Sequence, residues 1–260
     1  ACRVQGTRCL LEKPGKGVVP DKYDGVGRFR DGRARGRLNS EYTRSSWRSG
    51  EILEIGRWGF IDKTGTEVVP LQYAWAGDFQ DGLAKVLVAE RNSEAEKWGF
   101  INQTGAKVVP PIYDAVGAFR EGMASVLQDG KIGFVDEAGA LVIPLTYTYD
   151  FPGRWSVGIR RDTMPYFSEG LAALWSGDEQ SGHFGYIDQE GKVVIPFEYD
   201  YAAPFSEGLA YVSKGGAIYY DAAAADGGKY GYIDKTGRII VPLMYDCDYP
   251  AEGGIADGSF

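Results

Sequence analysis

WGFIDKTGTEVVPLQY, residues 58–73, sets the reading of the whole chain, because five further copies of it exist. Residues 98–113 read WGFINQTGAKVVPPIY and residues 230–245 read YGYIDKTGRIIVPLMY. Looser copies occupy 132–147 (IGFVDEAGALVIPLTY) and 184–199 (FGYIDQEGKVVIPFEY), and a worn one occupies 8–23 (RCLLEKPGKGVVPDKY). A second phrase follows most copies: FQDGLAKV from Phe79, FREGMASV from Phe119, FSEGLAAL from Phe167 and FSEGLAYV from Phe205. Self-similarity at this period marks a repeat architecture, in which each unit stacks on its neighbours because it cannot bury a core alone.

Residue chemistry supplies the logic of one unit. WGFID alternates large apolar residues with smaller ones, the pattern of a short half-buried strand. DKTG, NQTG, DEAG, DQEG and DKTG then fill one position in five copies. An Asp or Asn that caps its own turn, followed by a glycine that accepts φ > 0, is a hairpin signal. VVP or VIP is the return strand, expected to end at Pro20, Pro70, Pro110, Pro144, Pro196 and Pro242, since proline cannot donate to a ladder. The phrase F-x-[DE]-G-L-A-x-V reads as a turn into a third strand. Strands a (LAxV), b (WGFID) and c (VVP) thus make a three-stranded module. The expected fold is all-β: six such modules, starting near residues 8, 58, 98, 132, 184 and 230, in one domain over residues 1–260.

Composition narrows the functional classes. The chain has 260 residues, 44% of them hydrophobic and 13% aromatic, enough to fold without metal or cofactor. A formal net charge of −8 argues against nucleic acid, which needs a cationic surface. No apolar run is long enough to span a membrane. His183 is the single histidine and no CxxC pair exists, so no metal site is expected. The opening Ala1-Cys2 resembles the end of a bacterial lipoprotein signal, which makes Cys2 a lipidation candidate and a lipid anchor the one expected membrane contact. Cys9 and Cys247 form a candidate disulfide between the two ends, which implies an oxidising, extracytoplasmic compartment. Three unpaired small residues are the plainer alternative.

Spacing between copies varies, and the variation is localised. Trp98 to Ile132 spans 34 residues, the minimal unit, against 40, 46 and 52 for the other intervals from Trp58 onward. Most of the excess falls between strands a and b, while the b–c turn keeps one length. A meander would therefore collect its insertions at one edge, where repeat proteins place binding surfaces; tolerance of surface loops to insertion explains the same pattern without function. The chain begins with strands b and c of a module and finishes with AEGGIADG (251–258), a candidate strand a. Joining the two ends would complete a mixed unit, so a closed propeller-like ring is preferred over an open β-solenoid.

The repeats hold little chemistry. DKTGTE at Asp62 looks like the phosphorylated-aspartate motif of P-type ATPases, but NQTG and DEAG at the equivalent places reduce it to a turn. No GxSxG surrounds a serine. Asp62, Asp136, Asp188 and Asp234 serve turns, as do Glu121, Glu169 and Glu207, so no carboxylate pair stands out for hydrolysis. Trp58, Trp98, Phe184 and Tyr230 share a position with Ile132, which points to packing rather than to sugar stacking. The singular residues lie in the insertions. Residues 148–165 hold Tyr149, Phe151, Arg154, Trp155, Arg160 and Arg161; residues 35–57 hold Tyr42, Trp47 and Arg48; Tyr219 and Tyr220 lie in a third. Aromatics with arginine are the composition of protein-interface hot spots.

The pattern [WYF]-G-[FY]-I-D-x-x-G-x-x-V-[IV]-P-x-x-Y, followed by F-x-E-G-L-A-x-V, resembles the WG-repeat (KWG) proteins of bacteria. The resemblance runs from about Arg8 to Tyr245, with departures at Arg8-Cys9 and at Ile132. It implies a repetitive β-rich protein, often secreted or surface-associated, with no enzymatic activity attached to the repeat. The expected function is a non-catalytic extracytoplasmic protein-binding domain, monomeric alone and without cofactor. An immunity or inhibitor protein that blocks a secreted toxin or enzyme is the concrete version. A cell-envelope glycan-binding module and a hydrolase with an unrecognised carboxylate site are the alternatives.

Overall fold

The computed structural model describes residues 2–4, 7–9, 22–44, 52–89, 96–148, 164–177, 181–216 and 228–246. All regular structure among them is β. A short hairpin pairs β1 (Cys2–Val4) with β2 (Thr7–Cys9). Five four-stranded antiparallel sheets follow in chain order. The first contains β3 (Gly25–Val26), β4 (Arg33–Arg44), β5 (Ile52–Asp62) and β6 (Glu67–Tyr73). The second contains β7 (Trp75–Ala76), β8 (Leu83–Ala89), β9 (Glu96–Asn102) and β10 (Lys107–Tyr113). The third contains β11 (Ala115–Val116), β12 (Met123–Gln128), β13 (Lys131–Asp136) and β14 (Leu141–Thr148). The fourth contains β15 (Phe167–Ser168), β16 (Leu171–Ser176), β17 (His183–Ile187) and β18 (Val193–Tyr199). The fifth contains β19 (Tyr201–Ala202), β20 (Leu209–Lys214), β21 (Lys229–Asp234) and β22 (Ile239–Tyr245).

Strands b and c of the copy at 8–23 and the candidate strand a at 251–258 fall on residues 10–21 and 247–260, outside the described residues. In the five described sheets strands a, b and c lie where the sequence places them, but each sheet has a fourth strand the three-strand reading missed. It is two residues long and follows strand c after one residue, Ala74, Asp114 or Asp200 in three of the sheets. There the backbone leaves the c edge of one sheet and pairs at once with strand a of the next, as in Trp75↔Leu87 and Ala76↔Val86.

Proline marks a second correction, because strand c does not end at it. Pro70 lies inside β6, and the register runs from Phe60↔Val69 to Trp58↔Tyr73, so two steps of strand b face four of strand c. This bulge holds the proline on an outer strand, where no ladder donor is required. It also explains the glycine after the aromatic residue. A Cβ on Gly59 would lie 2.4 Å from the Val69 carbonyl oxygen and 2.7 Å from the Pro70 carbonyl carbon. Gly99 and Gly231 meet the same crossing, each 2.4 Å from the equivalent carbonyl oxygen.

Both turn types follow their residues. Asp31-Gly32, Asp81-Gly82, Glu121-Gly122, Glu169-Gly170 and Glu207-Gly208 all have two consecutive positive φ values, about 50° then 80°. Those angles make type I′ hairpin turns, closed by reciprocal backbone bonds such as Gln80 N–H to Leu83 O and Leu83 N–H to Gln80 O.

The chain folds as two compact units: Ala1–Gly117 with Ala124–Asp129 and Gly133–Leu141, and Ala118–Met123 with Gly130–Ile132 and Val142–Phe260. Within each, the core lies between consecutive sheets. In the first unit Trp58, Phe60, Val69 and Tyr73 of one sheet pack against Ala76, Phe79, Ala84 and Val86 of the next, with Phe60 and Phe79 ring centroids 4.6 Å apart. In the second, Tyr186, Ile195 and Tyr199 pack against Phe205, Ala210, Val212 and Ile233, with Tyr186 and Phe205 centroids 4.9 Å apart. Burying one such ring contributes roughly 2–3 kcal/mol before entropy is charged. The aromatic residues Trp58, Trp98 and Tyr230 are buried, and so is Ile132, in agreement with a packing role.

Carboxylates from the type I′ turns join the sheets. In the first unit Asp31 Oδ2 accepts from Gly82 N–H at 3.0 Å. In the second, Glu121 accepts from Glu169 N–H and Gly170 N–H at 2.7 and 2.9 Å. Glu169 in turn accepts from Gly208 N–H at 3.0 Å and pairs with Lys235 at 3.0 Å. The repeated acid therefore does more than shape its own turn: it holds the turn of the following module.

Candidate functional site

Antiparallel register sends every variable joint to one edge of its sheet. In the first unit β4 and β5 pair out to Arg44↔Ile52, and β8 and β9 out to Ala89↔Glu96, so residues 45–51 and 90–95 leave from the a–b edge. In the second unit the last pairs are Ser176↔His183 and Lys214↔Lys229, ahead of residues 178–180 and 217–227. Strand c also ends at this edge, as Tyr199↔Phe184 shows, and residues 149–163 continue from the end of such a strand, β14. The constant b–c turns occupy the opposite edge.

The base of this edge is built by a second repeated device, which the sequence reading missed. An acidic residue directly after the terminal tyrosine accepts from the a–b joint of the sheet it enters. Asp114 Oδ2 accepts from Asp129 N–H at 2.9 Å, Asp200 Oδ2 from Gly216 N–H at 3.0 Å, and Asp24 from Asn39 N–H. The other carboxylate oxygen faces a basic residue at the start of strand b in the preceding sheet. Lys97 Nζ donates to Asp114 Oδ1 at 2.6 Å, Lys229 pairs with Asp246, and His183 Nδ1 lies 3.5 Å from Asp200 Oδ1. In the third sheet Lys131 donates to Thr148 Oγ1 at 3.1 Å, and that hydroxyl donates to Gly177 O at 3.2 Å. Basic residue and acceptor are 17 positions apart in each case, which was the available signal. His183 thus takes a lysine's structural place.

Most sequence-predicted binding residues lie outside the described residues: Trp47, Arg48, Tyr149, Phe151, Arg154, Trp155, Arg160, Arg161, Tyr219 and Tyr220. Tyr42 is on β4, opposite Glu54. For the disulfide candidate, Cys247 also lies outside, while Cys9 on β2 stands in register with Cys2 on β1. The described part of the site is therefore the platform from which the insertions depart.

At the opposite edge the carboxylates are occupied by their turns. Asp62 Oδ1 accepts from Thr64 N–H, Thr64 Oγ1 and Thr66 N–H at 2.8, 2.6 and 3.0 Å. Asp234 repeats this with Thr236 and Arg238, and Asn102 does so with an amide oxygen. The Thr64 hydroxyl, then the turn amides, hold the Asp62 carboxyl below its usual range. The Thr236 hydroxyl and the turn amides bring Asp234 down to about 2. Glu169 is lowered chiefly by Lys235, and Glu67 by Lys22. A general acid needs a raised carboxyl, and these four move the other way. Among the described residues, no group of three or more His, Cys, Asp or Glu is placed to hold a metal ion.

A depressed folded pKa contributes stability above the unfolded value, near 3.8 for Asp234, and that contribution is lost as pH falls through about 2. Asp234→Asn keeps the acceptor oxygen, as Asn102 demonstrates, and removes the titration. The variant is expected to melt close to wild type at pH 7 and to lose less stability between pH 4 and pH 2. Melting curves across that range check it, and equal acid slopes would refute the assignment.

Four segments, residues 58–89, 98–131, 184–216 and 230–246, match the family described as WG containing repeat. The chain is a WG-repeat protein. Each matched segment opens at the aromatic-glycine pair that crosses the proline bulge, so the name records a close backbone crossing. The WG copies beginning at Arg8 and Ile132, which depart most from the pattern, are not starting points of a matched segment. No curated protein matches the chain. Among solved structures, a Bacteroides caccae protein of unknown function is similar at 17% identity over 74% of this chain and 77% of its own, with a TM-score of 0.28. A structure titled eukaryotic initiation factor is similar at 10% identity over 80% of this chain and 65% of its own, with a TM-score of 0.37. At such TM-scores neither likeness bears on fold or role.

Proposed function

We propose that this WG-repeat chain is a non-catalytic, extracytoplasmic protein-binding domain whose insertion edge engages a protein partner. The observation that carries the reading is the common edge: the long joints leave from the a–b side of their sheets, while the b–c side keeps one turn. The insertions concentrate aromatic and arginine residues, the anchors of interface hot spots, in a chain with a net charge of −8 that suits a basic partner. An immunity or inhibitor protein acting on a secreted toxin or enzyme fits that composition. The ring remains our preferred arrangement of the modules, and four strands per sheet, the number in a propeller blade, support it over an open solenoid.

Capture of partners from the source organism's envelope and secreted fractions, repeated with the double variant Arg154→Ala/Trp155→Ala, tests the reading. Loss of hot-spot anchors should weaken partner binding by about a hundredfold or more with the melting temperature unchanged. A double variant that binds its partner as well as wild type removes these residues from the interface. Stabilisation by soluble peptidoglycan fragments, in place of a protein partner, would favour a glycan-binding role.

A further inference from the structure

The last described sheet leaves three positions more exposed than their equivalents in every earlier sheet, the half-buried Tyr147 included. Tyr232 is 41% exposed, whereas Phe60, Phe100, Phe134 and Tyr186 at its place are at most 5% exposed. Tyr245 is 56% exposed against 2% for Tyr73 and Tyr199. Val241 is half-buried where Val69, Val109, Ile143 and Ile195 are buried. In the sheet before it, the cover comes from the 14 residues after the terminal tyrosine. Ala203 O accepts from Tyr186 Oη at 2.7 Å, Phe205 packs on the Tyr186 ring, and the Glu207-Gly208 turn docks its amide on Glu169.

We infer that this face of the fifth sheet is a docking surface for the chain's own residues 247–256, which lie outside the described residues. The argument is register. Shifting the covering segment by 46 positions, the spacing from Phe184 to Tyr230, aligns it without a gap. Tyr199-Asp200 falls on Tyr245-Asp246, Pro204 on Pro250, Gly208 on Gly254, and Leu209-Ala210 on Ile255-Ala256. Glu207, which has φ 53°, falls on Gly253, a residue that takes that conformation with less strain. In this register Tyr232 Oη donates to Tyr249 O, and Glu207, next in the series after Glu121 and Glu169, accepts from Gly254 N–H. One element of the cover is missing: Phe205 falls on Ala251, so the Tyr232 ring has no aromatic lid.

Two measurements on the intact chain decide the matter. Hydrogen exchange should show the Gly254 and Ala256 amides slowed about a hundredfold relative to unstructured chain, independent of protein concentration. Ala251→Phe should raise the melting temperature by about 2–4 °C, and Tyr232→Ala in the same molecule should cancel the gain. Exchange at unstructured rates, or an Ala251→Phe variant that melts with wild type, overturns the proposal. Protection that disappears on dilution, together with a halved mass in sedimentation, also overturns it by assigning the face to a second copy of the chain.

Discussion

Alanine at Gly99 is expected to destabilise the protein by about 3 kcal/mol, a fall of roughly 6–12 °C in melting temperature for a chain of this size. The added Cβ would lie 2.4 Å from the Val109 carbonyl oxygen, 2.7 Å from the Pro111 nitrogen and 2.8 Å from the Pro110 carbonyl carbon. All three are backbone atoms of the bulged outer strand, so no side chain can swing away to relieve the contact. Gly82→Ala is the informative control. Gly82 has φ +80° and nothing within 4 Å of its added Cβ, so its cost is conformational alone, about 1 kcal/mol. Thermal or urea melts of both variants separate the effects. If Gly99→Ala melts no lower than Gly82→Ala, the close crossing is not what requires glycine there.

The second large effect is expected at Phe205. Its ring is buried between the fourth and fifth sheets against Tyr186, in a cluster with Leu171, Ile195, Tyr199 and Ile233. Phe205→Ala removes the ring from a site enclosed by buried side chains of both sheets, whose strands limit how far it can collapse. A loss of about 3–5 kcal/mol follows, against about 1 kcal/mol for the volume-conserving Phe205→Leu. Stacked repeats couple chiefly to their neighbours, so exchange protection should fall first in β17, β18 and β20. Urea unfolding gives the magnitude and hydrogen exchange the location. Uniform loss of protection across both units would contradict sheet-by-sheet packing.

Strands a, b and c and both glycine turns were legible because each carries a local signal: alternation, or a residue type that only one backbone conformation suits. The fourth strand was not, since two residues such as Trp75-Ala76 are too few to show a period. The proline bulge was misread for a related reason. Proline reports only that a ladder donor is absent, which is true of a strand's end and of the outer side of an edge strand alike. The Asp114–Lys97 clamp left a regular trace, 17 positions between cation and acceptor, but it joins two sheets and has no meaning until the handover between them is known. The place of His183 at the start of strand b has no meaning in the sequence alone on the same account. On function, the sequence located the variable joints, and register then put each on the a–b edge of its own sheet.

The one-residue handover after Tyr73, Tyr113 and Tyr199 has a consequence for how such chains lengthen and shorten. The sequence motif starts at the aromatic-glycine pair, yet a cut there would part strand a from strand b within one sheet. A cut after Tyr73, Tyr113 or Tyr199 falls between sheets and leaves four strands intact on either side. The block that duplication or deletion can move as a whole therefore begins with the two-residue strand and closes on the tyrosine, as residues 75–113 do. Splicing consensus modules in that phase, rather than in the phase of the motif, would preserve every ladder.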